Sequence, residues 1–295
     1  MSAKQLSALR ALLRCGRVPG HRPLRVLGSG TFGTVFKVRG RKAIKWVRRS
    51  FDNALERELR ALVMVQAHDH FVRLDRVVPC WGEYLMVLEL CDMDLRQYVI
   101  ARRKLPEAQV RTLMEGLLSA LEFIHLCGCI HRDIKPDNLL MKGHDTLKVA
   151  DLGTMRFVDD DDQDEDEGIC CTIPFCAPEW LLGQADYDSG VDIWGAGLIM
   201  HFMRTGTCLT YWLSGSRIET LLRIFQYVGT PTEATWPGVT ALPHFNAQWP
   251  RFARAARSAR AVGDGMMLEP CPAKRWTAVE ALAHLRRGHL ALASS

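Results

Sequence analysis

The run from His131 to Asn138 brings a carboxylate, a lysine and an amide close together along the chain. The Asp133 carboxylate can accept the proton of an attacking hydroxyl, and Asn138 can bind a magnesium ion. Lys135 can neutralise the negative charge that develops on a transferred phosphoryl group. These residue types at these spacings suit phosphoryl transfer, a chemistry that depends mainly on positioning and charge stabilisation.

A second candidate ligand for magnesium is Asp151, which is followed by leucine and glycine. Asp151 stands thirteen residues after Asn138 and directly follows an apolar segment, Leu147 to Ala150, that is typical of a strand. A strand ending there would present the Asp151 carboxylate at its tip. The run from Ala177 to Glu179 closes this part of the chain.

Three glycines, Gly28, Gly30 and Gly33, form a G-x-G-x-x-G run. Dinucleotide-binding folds use the same spacing, but there the run opens a helix. Here residues 34–38 alternate and are β-branched, which predicts a strand, and glycines at a hairpin tip let backbone N–H groups approach phosphate oxygens. No Gly-Lys-Ser/Thr follows at the offset of a P-loop, which excludes that motif.

The next predicted strand, Ala43 to Val47, carries Lys45, and the segment from Asp52 to Gln66 has helical periodicity and carries Glu58. A lysine on a strand beneath a glycine flap can reach phosphates if a carboxylate holds it, and Glu58 is the expected holder. Taken alone, Lys45 would be interpreted as an exposed strand lysine. Another helix is predicted from Glu107 to Leu126, with a proline before it.

These motifs, in this order, resemble those of eukaryotic-type protein kinases. The resemblance covers about residues 22–290 and implies an α+β, two-lobed protein kinase fold. Its small β-rich N-lobe would carry one regulatory helix, and its larger C-lobe would be mainly helical. The expected domains are a basic extension at 1–20 and a kinase domain at 21–290, with the N-lobe at 21–88, the hinge at 89–92 and the C-lobe at 93–290.

The resemblance implies ATP and Mg²⁺ as cofactors and the Ser/Thr hydroxyls of protein substrates as acceptors. The expected catalytic residues are Asp133, Lys135, Lys45, Glu58 and Thr172, and the expected magnesium ligands are Asn138 and Asp151. The expected ATP-binding residues are Leu27, Gly28, Ser29, Gly30, Thr31, Phe32, Gly33, Thr34, Val35, Lys45, Glu89 and Cys91. By the same resemblance, Asp192 braces the catalytic run and Arg275 pairs with Glu179. The alternative is a pseudokinase scaffold, although scaffolds typically lose one of these groups and none is missing here.

The segments Leu222–Phe225, Gly229–Glu233 and Trp236–Val239 resemble those of cyclin-dependent kinases, and the related mitogen-activated kinases also fit. The helix signature that binds cyclins is missing except for its end at Arg57-Glu58-Leu59, which argues against a cyclin-like partner. Cys176 stands where relatives that prefer proline after the phosphorylated residue usually carry arginine. Its presence argues against a proline-directed specificity.

Glu167 falls where the resemblance places an activating phosphothreonine. Arg57, Arg132 and Arg156 match the three arginines that would clamp that phosphate. A carboxylate carries one charge where phosphate carries about two, yet it can hold the segment ordered without an upstream kinase. Constitutive activity is therefore a hypothesis, and its alternative is that the acidic residues from 159 to 167 form only a solvated loop.

The chain of 295 residues is long enough to bury a large core, and no apolar run approaches the roughly 18 residues of a membrane span. The first 50 residues contain Lys and Arg but no Asp or Glu. That pattern fits nucleic-acid binding, but a small basic lobe facing phosphate-rich ligands explains it better. It also fits a transit peptide, although a short amphipathic helix packed on the domain, with Leu6, Leu9 and Leu13 on one face, explains the same residues. The ten cysteines lack zinc-ligand spacing and no secretory signal precedes them, which predicts reduced thiols in an intracellular protein of the cytoplasm or nucleus.

Overall fold

The computed structural model describes residues 23–29, 33–47, 52–80, 83–158, 171–210, 216–254 and 266–293. The chain divides into two compact units. The first consists of Met1–Asp92 together with Val149–Met155, and the second of Met93–Lys148 together with Arg156–Ser295.

The first unit is built on a five-stranded antiparallel sheet with the order β1-β2-β3-β5-β4. Its strands are β1 (Pro23–Ser29), β2 (Gly33–Val38), β3 (Lys42–Val47), β4 (Leu74–Cys80) and β5 (Glu83–Glu89). One face of the sheet carries a buried cluster that includes Phe36, Ile44, Trp46 and Leu85. Because successive side chains of a strand point to opposite faces, Lys45 lies on the other face of β3.

One long helix, α1 (Asp52–Met64), follows the third strand and continues as a 3-10 turn at Val65–Ala67. Leu55, Glu58 and Leu62 are buried on one side of α1, at the spacing of a single helical face. The predicted helix from Asp52 to Gln66 is therefore α-helical over all but its last two residues. Its buried side packs against the 3-10 turn Leu152–Thr154, which belongs to the same unit.

The second unit is mainly helical. Its helices are α2 (Leu95–Arg102), α3 (Glu107–Leu126), α4 (Pro178–Leu181), α5 (Gly190–Thr205), α6 (Arg217–Val228) and α7 (Ala278–Ala293). Its short strands are β6 (Met93–Asp94), β7 (Cys129–Ile130), β8 (Leu139–Lys142), β9 (Thr146–Val149) and β10 (Arg156–Phe157), where the last residue of β9 already belongs to the first unit. The core helix α3 packs against α5 and α7, and every residue from 191 to 200 is buried.

The predicted α+β architecture is confirmed, because a β-rich part with one long helix is joined to a larger, mainly helical part. Helix α3 has the bounds that the sequence predicted, and Pro106 stands directly before it in an extended conformation. Within the described part of the chain, none of the helices has both the length and the apolar character needed to cross a bilayer.

Candidate active site

A buried lysine with two carboxylate partners forms the polar centre of the first unit. The Lys45 Nζ donates to Glu58 Oε1 at 2.6 Å and Oε2 at 2.8 Å, and to Asp151 Oδ1 at 2.7 Å. Lys45 and Glu58 are 7% and 3% exposed, whereas Asp151 is open to solvent. Burial alone would lower the pKa of Lys45, but the carboxylates of Asp151 and Glu58 hold it above its usual value. The lysine is therefore a fixed positive charge.

Local structure explains why these three side chains meet. Lys45 is central in its sheet, because β3 pairs with β2 on one side and with β5 on the other. Val149 is tied to the chain around Phe71 by backbone bonds, in which its N–H donates to His70 and its carbonyl accepts from Val72. Two residues later, Asp151 adopts a left-handed conformation with φ 59°, which aspartate tolerates better than most residues.

The hairpin of β1 and β2 contains the candidate phosphate-binding residues. Gly28 lies opposite Val35 and Ser29 opposite Thr34, and the two hydroxyls of the latter pair are 3.1 Å apart. At Gly33 a Cβ atom would overlap the backbone carbonyl of Trp46, so close approach of β2 to β3 requires glycine there. Leu27 is exposed and belongs to the same hairpin. The expected positions Gly30, Thr31 and Phe32 lie outside the described residues.

The predicted hinge begins at the end of β5. The Glu89 N–H donates to the Arg73 carbonyl at 2.9 Å, and its carboxylate accepts from the Arg73 N–H at 2.9 Å. Glu89 also pairs with Lys42 across the sheet. Cys91, two residues on, is buried. Both residues lie near the end of the first segment of the first unit, which runs to Asp92.

In the second unit, the other candidate catalytic groups form hydrogen bonds to the Asp133 carboxylate. Its Oδ1 accepts from the Thr172 N–H at 3.1 Å and from the Thr172 hydroxyl at 2.9 Å. Its Oδ2 accepts from Lys135 Nζ at 2.6 Å and from Asn138 Nδ2 at 2.9 Å. Lys135 Nζ also donates to Thr172 Oγ1 at 2.7 Å. Because both carboxylate oxygens accept hydrogen bonds, Asp133 is held in one orientation.

A second buried carboxylate, Asp192 on α5, holds the backbone just before Asp133. It accepts from the N–H groups of His131 at 2.8 Å and Arg132 at 2.9 Å, and it lies 2.9 Å from His125 Nε2. Burial would raise the pKa of Asp192, but the hydrogen bond and charge of His125, with further help from His131, hold it below its usual value. Arg132 has a φ of 72°, so the bonds to Asp192 stabilise a turn that a non-glycine residue rarely adopts.

The last residue of the closing motif, Glu179, forms a fully buried ion pair with Arg275. Arg275 donates to Glu179 through two parallel bonds, of 2.6 Å from Nη1 and 2.8 Å from Nη2. The remaining Arg275 donors bond the carbonyls of Glu269, Gly190 and Pro270. Such bidentate geometry is specific to arginine, and it anchors the segment that follows Thr172.

Two of the four candidate regulatory residues, Arg132 and Arg156, share one neighbour in the second unit. Arg132 Nη1 donates to the Tyr187 hydroxyl at 3.2 Å, and the Arg156 guanidinium lies 5.6 Å from the centre of the same ring. Arg57 lies on α1 in the first unit, and Glu167 lies outside the described residues. Sequence analysis missed Tyr187, because no local motif distinguishes it.

One expectation about the cysteines is wrong. Cys171 and Cys176 are joined by a disulfide, with their Cα atoms 5.8 Å apart, although the sequence predicted reduced thiols throughout. The reason is local: the 3-10 turn Ile173–Phe175 folds the chain back, so that two cysteines five positions apart meet. The other cysteines in the described ranges carry thiols, namely Cys80, Cys91, Cys127, Cys129, Cys208 and Cys271.

Comparison with known proteins gives concordant matches. The family model described as the protein kinase domain matches residues 22–285. The chain is 33% identical to human cyclin-dependent kinase 20 over 231 residues, which is 75% of this chain and 66% of that protein, just under two thirds. It is 32% identical to Caenorhabditis elegans cyclin-dependent kinase 2 over 88% of this chain and 76% of the relative. It is 34% identical to Arabidopsis thaliana cyclin-dependent kinase B2-2 over 88% of this chain and 90% of the relative.

Proposed function

The chain belongs to the protein kinase family, in its cyclin-dependent-kinase-like serine/threonine branch, and on that premise we propose that it transfers the γ-phosphate of ATP to Ser/Thr hydroxyls of protein substrates. The observation that carries the proposal is the buried Asp133 carboxylate, on which Lys135, Asn138 and Thr172 converge. The proposed setting is the cytoplasm or nucleus.

In this proposal Asp133 orients the substrate hydroxyl and accepts its proton. The hydroxyl oxygen forms the new bond to the γ-phosphorus, the bond from that phosphorus to the bridging oxygen breaks, and ADP leaves with the electron pair. Lys135, whose Nζ lies 2.6 Å from Asp133 Oδ2, supplies positive charge beside the reacting groups. Thr172 holds the other carboxylate oxygen, which leaves Asp133 with a fixed orientation.

The nucleotide is proposed to bind through the first unit. Lys45 would contact the phosphates, and Glu58 would hold the lysine in place through its two bonds. The proposed nucleotide contacts otherwise are Leu27, Gly28, Ser29, Gly30, Thr31, Phe32, Gly33, Thr34, Val35, Glu89 and Cys91. A fixed lysine charge suits a polyphosphate, because the ammonium does not lose its proton near neutral pH.

Asn138 and Asp151 are the proposed magnesium ligands, and their chemistry fits this ion, which prefers oxygen donors. The Asn138 amide nitrogen donates to Asp133, so its carbonyl oxygen is the atom that would bind the cation. The Asp151 carboxylate accepts from Lys45, and its side chain is 42% exposed to solvent. When bound, the ion would neutralise charge on the phosphate oxygens.

Two finer features of the activity are also proposed. Glu167 would replace an activating phosphate, with Arg57, Arg132 and Arg156 as its partners, and would keep the enzyme active without an upstream kinase. The two arginines of the second unit already lie against one residue, Tyr187, which supports a shared role for them. Neither a cyclin-like partner nor a requirement for proline after the phosphorylated residue is part of the proposal.

The test is phosphate transfer from labelled ATP to a generic basic protein substrate. Wild type should transfer phosphate and Asp133→Asn should not, because the amide cannot accept the hydroxyl proton. Asp137→Asn is the matched control, since this aspartate is exposed and pairs only weakly with Arg96 at 3.2 Å. A wild type that binds ATP without transferring phosphate would instead support the pseudokinase scaffold.

A further inference from the structure

The disulfide between Cys171 and Cys176 closes a loop around one of the proposed catalytic residues. Thr172 lies inside this loop, and its hydroxyl and N–H both donate to Asp133. The two cysteines therefore sit at the ends of the short segment that fixes the Asp133 carboxylate. Nothing in the kinase chemistry proposed above uses either sulfur.

The closed loop is also a tight backbone turn. The Phe175 N–H donates to the Thr172 carbonyl at 2.7 Å, and the Cys176 N–H donates to the Ile173 carbonyl at 3.1 Å. The Pro174 carbonyl accepts a hydrogen bond from the Thr210 hydroxyl. A covalent link across a turn removes conformations in which its ends separate, so the disulfide favours the conformation that keeps Thr172 on Asp133.

The loop borders a small cavity of about 10 Å³ in the second unit, lined by Asp133, Phe175, Trp180 and both cysteines. Cys176 is only 2% exposed, whereas Cys171 is half-buried. An external oxidant or reductant would therefore reach Cys171 first. The disulfide and the proposed catalytic carboxylate line the same cavity, so opening or closing the disulfide changes the surroundings of Asp133.

We propose that Cys171 and Cys176 form a reversible redox modification site that controls the affinity for the protein substrate. The oxidised pair holds Thr172 against Asp133 and binds substrate more tightly, and the reduced pair releases the loop. Disulfides outside oxidising compartments are usually transient and often redox-sensing, which fits this placement. The inference rests on the proposed kinase function, since it assigns a control to that site.

The oxidant is a hydroperoxide and the reductant is a thiol. The Cys171 thiolate attacks a peroxide oxygen, the O–O bond breaks, and Cys171 becomes a sulfenic acid while water or an alcohol leaves. The Cys176 thiol then attacks that sulfur, the S–O bond breaks, and water leaves as the disulfide forms. The two sulfurs together lose two electrons, which the peroxide gains. In the reverse direction, two external thiols are oxidised to a disulfide and return protons to both cysteines.

The experiment uses the full chain, reduced with dithiothreitol or oxidised with hydrogen peroxide and then freed of reagent. Free thiols are blocked, the protein is digested, and mass spectrometry is applied to the peptide that contains both cysteines. The disulfide is detected as a mass lower by two hydrogen atoms than that of the dithiol peptide. The KM for a serine peptide chosen from a peptide array should be about fivefold lower or more in the oxidised form, as expected for a coupled site. The KM for ATP should not change.

Reciprocity gives a second readout that does not depend on catalysis. If the disulfide strengthens peptide binding about fivefold, saturating peptide must stabilise the disulfide by the same factor. In glutathione buffers the midpoint potential of the Cys171–Cys176 couple should then become more negative by about 20 mV. A tenfold change in the equilibrium constant of this two-electron couple corresponds to about 30 mV. A midpoint that peptide does not move would overturn the inference.

Serine variants identify the cysteines involved. Cys171→Ser and Cys176→Ser should each remove the response to peroxide, and the half-buried Cys171 gives the safer variant because Cys176 lies in the core. Cys170→Ser is the matched neighbour and should keep the response; its loss would overturn the assignment of the pair. A wild type with equal peptide KM in both redox forms would also overturn it.

If neither redox form transfers phosphate, the proposed kinase function fails. The shift of the midpoint potential by peptide then still tests the redox inference.

Discussion

The Thr172 hydroxyl donates to Asp133 Oδ1 over 2.9 Å, although 39 positions separate the two residues in sequence. Lys135 Nζ completes a triangle, because it donates to the same hydroxyl and to the other carboxylate oxygen. The orientation of Asp133 therefore depends on the segment that contains Thr172. The segment around Thr172 must therefore be ordered for the Asp133 carboxylate to keep this orientation.

Replacing Thr172 with alanine should lower kcat/KM for a peptide substrate by about a hundredfold, because the released carboxylate moves away from the attacking hydroxyl. Thr172→Ser keeps the hydroxyl and should retain most of the activity. Steady-state kinetics with varied peptide measures both variants. Equal activity of the alanine and serine variants would show that the hydroxyl has no positioning role.

Replacing Lys45 with methionine should abolish phosphate transfer and also destabilise the fold by about 3 kcal/mol, because it leaves the buried Glu58 carboxylate without its cation. Urea unfolding measures the stability, and ATP turnover measures the activity. The double variant Lys45→Met with Glu58→Leu should recover most of the stability, since two apolar side chains can replace a buried ion pair. It should recover no activity. Recovered activity would contradict the proposed contact between Lys45 and the phosphates.

Local sequence pattern predicted the elements that carry the site. The helix from Glu107 to Leu126 follows from apolar periodicity and a preceding proline, and the strand containing Lys45 follows from its β-branched, apolar composition. The predicted strand Leu147 to Ala150 is observed at Thr146–Val149, one residue earlier. The ordered motifs then pointed to the right family, because their joint order is far more specific than any one of them.

The parts that the sequence did not predict depend on contacts between distant positions. No local signal shows that Arg132 and Arg156 both lie against Tyr187. The disulfide was missed for a different reason: the cysteines were judged by zinc-ligand spacing and compartment, whereas the turn between Cys171 and Cys176 decides the pairing. Strand β4 was missed as well, since Pro79 within it weakens the strand pattern.

If Glu167 replaces an activating phosphate, Glu167→Ala should lower kcat by about tenfold or more, because three arginines would lose their anion. Asp166→Ala, its acidic neighbour, should leave kcat unchanged. Wild-type protein made in bacteria should be active without treatment by another kinase, and phosphatase should not reduce its activity. Unchanged activity of Glu167→Ala would favour a solvated acidic loop instead.

Asp192→Asn should destabilise the second unit by about 1–3 kcal/mol at neutral pH, since an amide cannot replace the ionised acceptor of two backbone N–H groups and His125. The folded-state pKa of Asp192 lies below its unfolded value, so the stabilisation is complete above an unfolded pKa of about 4 and is lost as pH falls through the folded value. The difference in unfolding free energy between wild type and variant should therefore be constant from about pH 5 to pH 8 and shrink in stronger acid. Urea titrations at several pH values measure this difference, with the exposed Asp186→Asn as a control that shows none.

A difference in unfolding free energy that widens on acidification would mean that Asp192 is protonated in the folded protein. The backbone before Asp133 would then be held by something other than a carboxylate.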